Sequence, residues 1–411
     1  MKASNSTLFN SISDPVPPLR WNLDIIPIQH NGQKLLYFHD SLGYTEKNFA
    51  LDKSVEPLLS LITGLQNIKQ IAGTVGGNID EDQILNFIRL LDKHLLLSST
   101  HFKNTSELLE KKFEGSDIRK PALSGTSYPV DPREFDEFLK ELFEFTEIKN
   151  TTTPKKALYA PHIDLQIGKN QYYEAFSAIK PLKPKRVVIL ATAHYTGYYE
   201  NLYANLPFIG SQKDFEIPGR TFKTDKKFIG QLAGSNQNTG FTLNDRAHRV
   251  EHSIEIHLLY LSAIWQHEFE IVPVLVSGFD ELFYHQNGEL AEQISNFTDL
   301  IKELDSDDTF YLISGDLSHV GKKFGDDSPA AALRENVEDF DQQFLKQTIK
   351  GKPEELLKLI KSEFDSTRIC GFPPLYTFQK IFPGHEGTII NYHWWDEQER
   401  ESAVSFGSIS F

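Results

Sequence analysis

Three stretches share one grammar: Ala157-Leu-Tyr-Ala-Pro-His162, Val187-Val-Ile-Leu-Ala-Thr-Ala-His194 and Thr309-Phe-Tyr-Leu-Ile-Ser-Gly-Asp316-Leu-Ser-His319. Each is a short, continuous apolar run that ends in polar, chemically able side chains. Runs of this length without alternation read as strands buried on both faces. They are spaced by helical patterns: 171–179 between the first two, then 251–265 and 290–304 around a further apolar strand at 270–276. Long helical patterns follow over 330–349 and 354–364, and late strands over 388–393 and 403–410. Buried strands alternating with helices predict an α/β domain over 121–411, with a central, mostly buried β-sheet flanked by helices.

Upstream the character differs. Residues 1–18 are rich in Ser and Pro and read as a flexible lead. The apolar runs 23–28 and 34–38 meet at Asn31-Gly32, a strong hairpin signal. Helical patterns follow over 55–62, 67–75 and 81–96. In the last of these Ile84, Leu85, Ile88, Leu91 and Leu95 share one face, and Asp80 is placed to cap it. Residues 19–100 therefore predict a small α+β, winged-helix-like domain. Residues 101–120 read as a polar connector, helical near 106–113. Beyond it, 131–145 predicts a helix and 151–154 a loop.

Composition narrows the function classes. The chain has 411 residues, 57 Asp+Glu against 42 Lys+Arg, a net charge of −15 and one Cys. Nucleic-acid affinity rests mainly on Lys and Arg at phosphates, so the acidic balance argues against a nucleic-acid partner. The densest apolar run, 187–191, is far shorter than the ~20 residues of a membrane helix. No apolar leader opens the sequence, and a lone Cys cannot form an intrachain disulfide. The expectation is a cytoplasmic protein without a membrane partner. No P-loop, G-x-G-x-x-G or G-x-S-x-G is present.

Ligands of open α/β sheets bind beyond the carboxyl ends of the strands. If the three strands are parallel neighbours, His162, His194, Asp316 and His319 converge there. One such His is usually structural; three in the same context are less easily dismissed, and a shared site stands beside the structural reading. Two His and one anionic ligand suit a catalytic transition metal such as iron or zinc. Asp316 or Cys370 could supply the anion. Cys370 precedes Gly-Phe-Pro-Pro, a helix start, with Arg368 nearby, so its thiol is expected to have a lowered pKa. In Glu251-His-Ser-Ile-Glu255, His252 and Glu255 share a helix face. His252 with Glu251 or Glu255 could orient a ligand or substrate. His257 diverges from His252, and the spacing matches no zincin motif.

Taken in order, Ala160-Pro-His-Ile-Asp164, Ala193-His194, Glu251-His-Ser-Ile-Glu255, Ser314-Gly-Asp-Leu-Ser-His319 and Ile369-Cys-Gly371 resemble the Memo family, also called AmmeMemoRadiSam system protein B. Ser124-Gly-Thr-Ser-Tyr-Pro129 resembles that family's opening segment. The resemblance implies a fold similar to class III extradiol dioxygenases and a mononuclear metal site. His162, His194 and Cys370 fall on its ligand positions. Asp316 and His319 fall on its nearby site residues, His319 at the dioxygenases' acid–base position, and His252 is expected with them as a catalytic candidate from its own motif. Cys370 stands where those dioxygenases have Glu, which sets this chain apart from ring cleavage. The implied cofactor is iron or copper in preference to zinc. The implied activity is a redox or oxygen-dependent, dioxygenase-like oxidoreductase acting on a small molecule or peptide. The alternative is a non-enzymatic scaffold binding a peptide or a radical-SAM-type partner through the same cleft. Residues 20–100 resemble peptide-binding PqqD-like units, which implies a protein partner for the N-terminal domain.

Overall fold

A computed structural model describes residues 7–76, 79–142 and 156–411. The chain divides into two compact units, Met1–Gly115 and Ser116–Phe411. In the smaller, β1 (Leu23–His30) and β2 (Gln33–Asp40) pair antiparallel, and β3 (Ala50–Asp52) joins β2. Asn31 and Gly32 both have positive φ, 49° and 79°, as a two-residue type I′ hairpin turn requires. Helices α1 (Glu56–Leu59), α2 (Ile68–Val75), α3 (Glu81–Lys93) and α4 (Thr100–Glu114) complete the unit. Asn67 and Asp80 close capping boxes on α2 and α3. Ile68, Ile71, Ile84 and Ile88 meet Leu36 and Phe38 of the sheet in one core.

Two sequence expectations shift here. The lead is packed from Phe9 onward: Val16 is buried, and the Phe9 N–H donates to the buried Asp92 carboxylate at 2.7 Å. The connector is helical from Thr100, because the Ser99 hydroxyl accepts from the Phe102 N–H at 3.0 Å and caps α4 early.

The larger unit begins with β4 (Ile118–Arg119) and α5 (Pro132–Leu142). The remainder of the helix expected over 131–145, and the loop at 151–154, lie outside the described residues. The chain continues through β5 (Ala157–Ala160), α6 (Lys169–Ile179), β6 (Arg186–Thr192), α7 (Glu200–Tyr203), β7 (Phe208–Gly210), β8 (Asp214–Ile217), β9 (Arg220–Thr224), α8 (Lys226–Ala233) and β10 (Phe241–Thr242). Then come α9 (Glu255–Ile264), β11 (Glu270–Val276), α10 (Glu289–Leu304), β12 (Thr309–Ser314), β13 (His319–Gly321), α11 (Ala330–Thr348), α12 (Pro353–Ser362), α13 (Phe372–Ile381), β14 (Thr388–Glu397) and β15 (Ser402–Ser410).

The sheet is large and mixed, with strand order β13-β15-β5-β12-β6-β11-β9-β8-β4. Its centre, β5-β12-β6-β11, is parallel throughout. Every residue of β5 and β12 is buried, and helices cover both faces. β15 runs antiparallel between β5 and β13. The three parallel strands β5, β12 and β6 are consecutive neighbours, so the segments leaving their carboxyl ends emerge side by side. No helix among the described residues is long and apolar enough to cross a membrane.

Candidate metal centre

His162 follows β5, His194 follows β6, and Asp316 and His319 follow β12. These segments meet a fourth, the approach to α13, which carries Cys370. The approach is close because two glycines cross: a Cβ on Gly315 would lie 2.2 Å from the Gly371 Cα. The Gly371 N–H donates to the Asp316 carbonyl at 2.9 Å, and the Asp316 N–H to the Cys370 sulfur at 3.2 Å. Cys370 Sγ then lies 3.5 Å from His162 Nε2. One donor atom each from His162, His194 and Cys370 falls within 4.8 Å of the others. The sets Asp316–His319–Cys370 and His194–Glu251–His252 meet the same spacing.

Hydrogen bonding fixes which nitrogens face inward. The Ser314 hydroxyl donates to the Ser253 carbonyl at 2.7 Å. Its oxygen therefore accepts from His162 Nδ1, 3.0 Å away, which leaves Nε2 as the bare nitrogen. Glu251 accepts from His194 Nδ1 at 2.9 Å, turning the His194 Nε2 toward Cys370. His319 Nδ1 lies 3.0 Å from the Leu317 and Arg368 carbonyls. Those oxygens can only accept, so Nδ1 carries the proton and Nε2 is free. Outward Nδ1–H groups held by acceptors are how metal-ligating histidines are oriented. Two imidazoles and a soft sulfur, each steadied from behind, fit a transition-metal ion as a donor set.

Electrostatics separate the roles. Burial lowers the His162 pKa well below its ordinary value, and the charge on His194 adds to the effect. Burial opposes the charge on His194, but Glu251 and the Cys370 hydrogen bond outweigh it and raise its pKa well above the usual value. Glu251 is correspondingly held far below the carboxylate range, against the cost of its burial. Burial pushes Asp316 up to about 7 against the pull of the His162 N–H and the His194 charge. Burial, with backbone acceptors opposing it, lowers His319 to about 4, so at neutral pH its imidazole is an acceptor. His252 is lowered to about 4 by burial and by the neighbouring His194 charge.

Cys370 departs from expectation. Burial raises its thiol pKa, although the His194 hydrogen bond opposes this. The Arg368 guanidinium does not relieve it, being turned to the His319 carbonyl at 3.0 Å and to Asp326 at 2.7 Å. A cation would have to displace the thiol proton, as metal binding to thiols generally does.

The 251–255 segment also splits. The helix expected over 251–265 starts only at Glu255, because the Glu251 carboxylate takes the His252 and Ser253 N–H groups at 2.9 and 3.1 Å. Glu251 and His252 face the centre, with the His252 ring stacked 4.8 Å from His194. Glu255 faces away, pairing with Arg119, Tyr128 and the Ala122 and Leu123 N–H groups. His257 also lies apart, buried against Phe176 with neither ring nitrogen partnered among the described residues. Ser314 was missed in the sequence; its signal was a small hydroxyl at the last position of an apolar strand.

His162, His194, His252, Asp316 and His319 line a cleft of about 310 Å³, and Cys370 lies behind them rather than on its wall. Ile163, Leu165, Ile256, Phe324, Trp395 and Val404 form apolar parts of its wall, with Asp164 and Lys323 at its polar margin. Residues 119–410 match the family model of the Memo-like proteins. The chain belongs to the Memo family. It is 27% identical to a MEMO1 family protein of Aquifex aeolicus over 86% of this chain and 90% of that one. A second A. aeolicus MEMO1 family protein is 30% identical over 49% of this chain and 67% of its own length. A MEMO1 family protein of Thermus thermophilus is 26% identical over 71% of this chain and 82% of its own. In this Memo protein the matched span contains the three strand-end segments and the segment that carries Cys370.

Proposed function

We propose that the cleft binds one transition-metal ion, iron or copper, through His162, His194 and Cys370, and that the protein is a redox or oxygen-dependent metalloenzyme acting on a small molecule. The observation that carries this reading is the gathering of one donor atom each from His162, His194 and Cys370 within 4.8 Å, with both imidazoles tethered through Nδ1. Three protein donors leave coordination positions open, as catalytic sites do and closed structural sites do not. When bound, such an ion supplies one-electron redox chemistry at a position facing the cleft.

The chain's own residues supply the rest. His319, neutral and with Nε2 free, accepts a proton from a group held in the cleft. Asp316, pushed up to about 7, is poised to hold or release a proton at neutral pH, while its Oδ1 accepts the His162 N–H at 3.0 Å. His252 packs against both ligand rings, at 4.8 and 5.3 Å, and holds their planes. The apolar walls exclude water and favour a compact substrate with an apolar body.

The test is elemental analysis after anaerobic purification, with Cys370→Ala prepared in parallel. We expect iron or copper near one equivalent in the wild type and a large loss in the variant. Zinc alone would overturn the redox reading. No metal in the wild type, or equal metal in both proteins, would overturn the centre itself.

A further inference from the structure

Helix α11 carries an anomaly. Its buried stripe is Val337, Asp341, Phe344, Leu345 and Thr348, spaced as one helical face. Asp341 occupies a position where an apolar residue would normally sit, and it is fully buried. A buried carboxylate is tolerated only with partners, and Asp341 has three. Ser318 donates to Oδ1 at 2.6 Å, and Ser405 and Tyr392 donate to Oδ2 at 2.5 and 2.9 Å. Ser318 lies between Asp316 and His319. The same segment is laced to β15: the Ser318 N–H donates to the Ser405 hydroxyl, the Leu317 N–H to the Ser405 carbonyl, and the Ser405 N–H to the Ser318 carbonyl, each at 2.9 Å.

We propose that Asp341 is a positioning residue: through the Ser318 and Ser405 hydroxyls it fixes the Asp316–His319 segment so that His319 faces the His162, His194 and Cys370 cluster. Asp341 itself does not reach the cleft. The ring of His319 is aimed by the Leu317 and Arg368 carbonyls, and the backbone that presents the Leu317 carbonyl is the strand of residues that Asp341 clamps. The purpose of the placement, though not the placement, rests on the reading of the cleft as a metal centre.

The four side chains of the network can be deleted together, leaving only the Ser318 N–H without the Ser405 oxygen it donates to. Replacing both members of a buried hydrogen-bonded set by apolar groups is often nearly neutral for stability. The combined variant Asp341→Leu, Ser318→Ala, Ser405→Ala and Tyr392→Phe does this. The probe is diethyl pyrocarbonate, which acylates a bare imidazole nitrogen, applied to metal-free protein and mapped by mass spectrometry, with the exposed His285 as internal reference. We expect the variant to unfold cooperatively at close to the wild-type temperature and the His319-to-His285 rate ratio to rise several-fold. Ser318→Ala alone should raise it less, and Ser318→Thr, which keeps the hydroxyl, should restore it. A merely structural network would move the melting temperature and leave this ratio alone. An unchanged or lower ratio in the folded variants overturns the proposal; should the combined variant not fold, Ser318→Ala against Ser318→Thr decides it. Because no metal is present, failure of metal binding leaves the result readable.

Discussion

Two buried polar clusters share the segment Glu251–Glu255 and are built on opposite principles. Around Glu255 the pairing is outward and complete. Arg119 donates to the His248 carbonyl, the Glu251 carbonyl and the Glu255 carboxylate, which also takes the Tyr128 hydroxyl and two backbone N–H groups. Around Cys370 the outward faces of the imidazoles are equally well tied, but His162 Nε2 meets only other donor atoms, 3.5 Å from the sulfur and 3.7 Å from the Asp316 carboxylate, while the sulfur also takes the Asp316 N–H at 3.2 Å. A cluster with every group satisfied is structure. A cluster whose spare donor atoms gather at one point is what the proposed function reads as a binding site. His257 marks the boundary of that rule: among the described residues it too is buried and unpartnered, but it belongs to no group of converging donors.

The contrast can be broken from either side. The largest effect should come from the satisfied cluster. Arg119→Met leaves Glu255 buried without its cation, and losing one partner of a buried pair costs roughly 3–5 kcal/mol. Urea unfolding should read this directly, and a loss below about 1 kcal/mol would show that the cluster is not the structural anchor assigned to it. Gly371→Ala comes next. Its Cβ would lie 2.3 Å from the Tyr159 hydroxyl and 2.9 Å from the Asp316 carbonyl. Overpacking of this kind costs about 1–3 kcal/mol. The strand-end set should suffer more than the fold, with metal content falling further than stability; unchanged metal content would show that Cys370 does not depend on the crossing.

The smallest effect belongs to His257 and vanishes at neutral pH. Burial lowers its pKa to about 3, below the ordinary 6.5 of the unfolded chain. Between those values the unfolded state binds the extra proton, so the contribution to stability is full above pH 6.5 and is lost as pH falls toward 3. His257→Phe should flatten this part of the acid limb of the stability curve and leave pH 7 stability nearly unchanged. An acid limb of unaltered slope would place the imidazole's pKa near its ordinary value.

What the sequence discloses follows from how local each signal is. β5, β11 and β12 are legible to the residue, because a continuous apolar run between polar ends has only one reading. The strands β7 to β10 are two to five residues long and carry no sustained period, so nothing in 208–242 announces them. The insertion of β15 between β5 and β13 is a pairing between distant segments that no pattern within 403–410 encodes. At the site, the strand-end histidines and Asp316 are visible because their context repeats. The acidity of Cys370 is misread because closeness of Arg368 in sequence is not closeness in space. Ser314 and Asp341 act through hydroxyls and carbonyls on other elements, although an Asp on the apolar face of 330–349 was a visible irregularity.

The contact between Cys370 and His162 joins residues 208 positions apart. At synthesis rates of about 5–20 residues per second, roughly 10–40 s pass between the emergence of the first imidazole and that of the sulfur. Throughout that interval the nascent chain offers isolated histidines with no shared geometry. The proposed donor set therefore comes together only with the finished sheet, when the segment carrying Cys370 reaches the strand-end histidines.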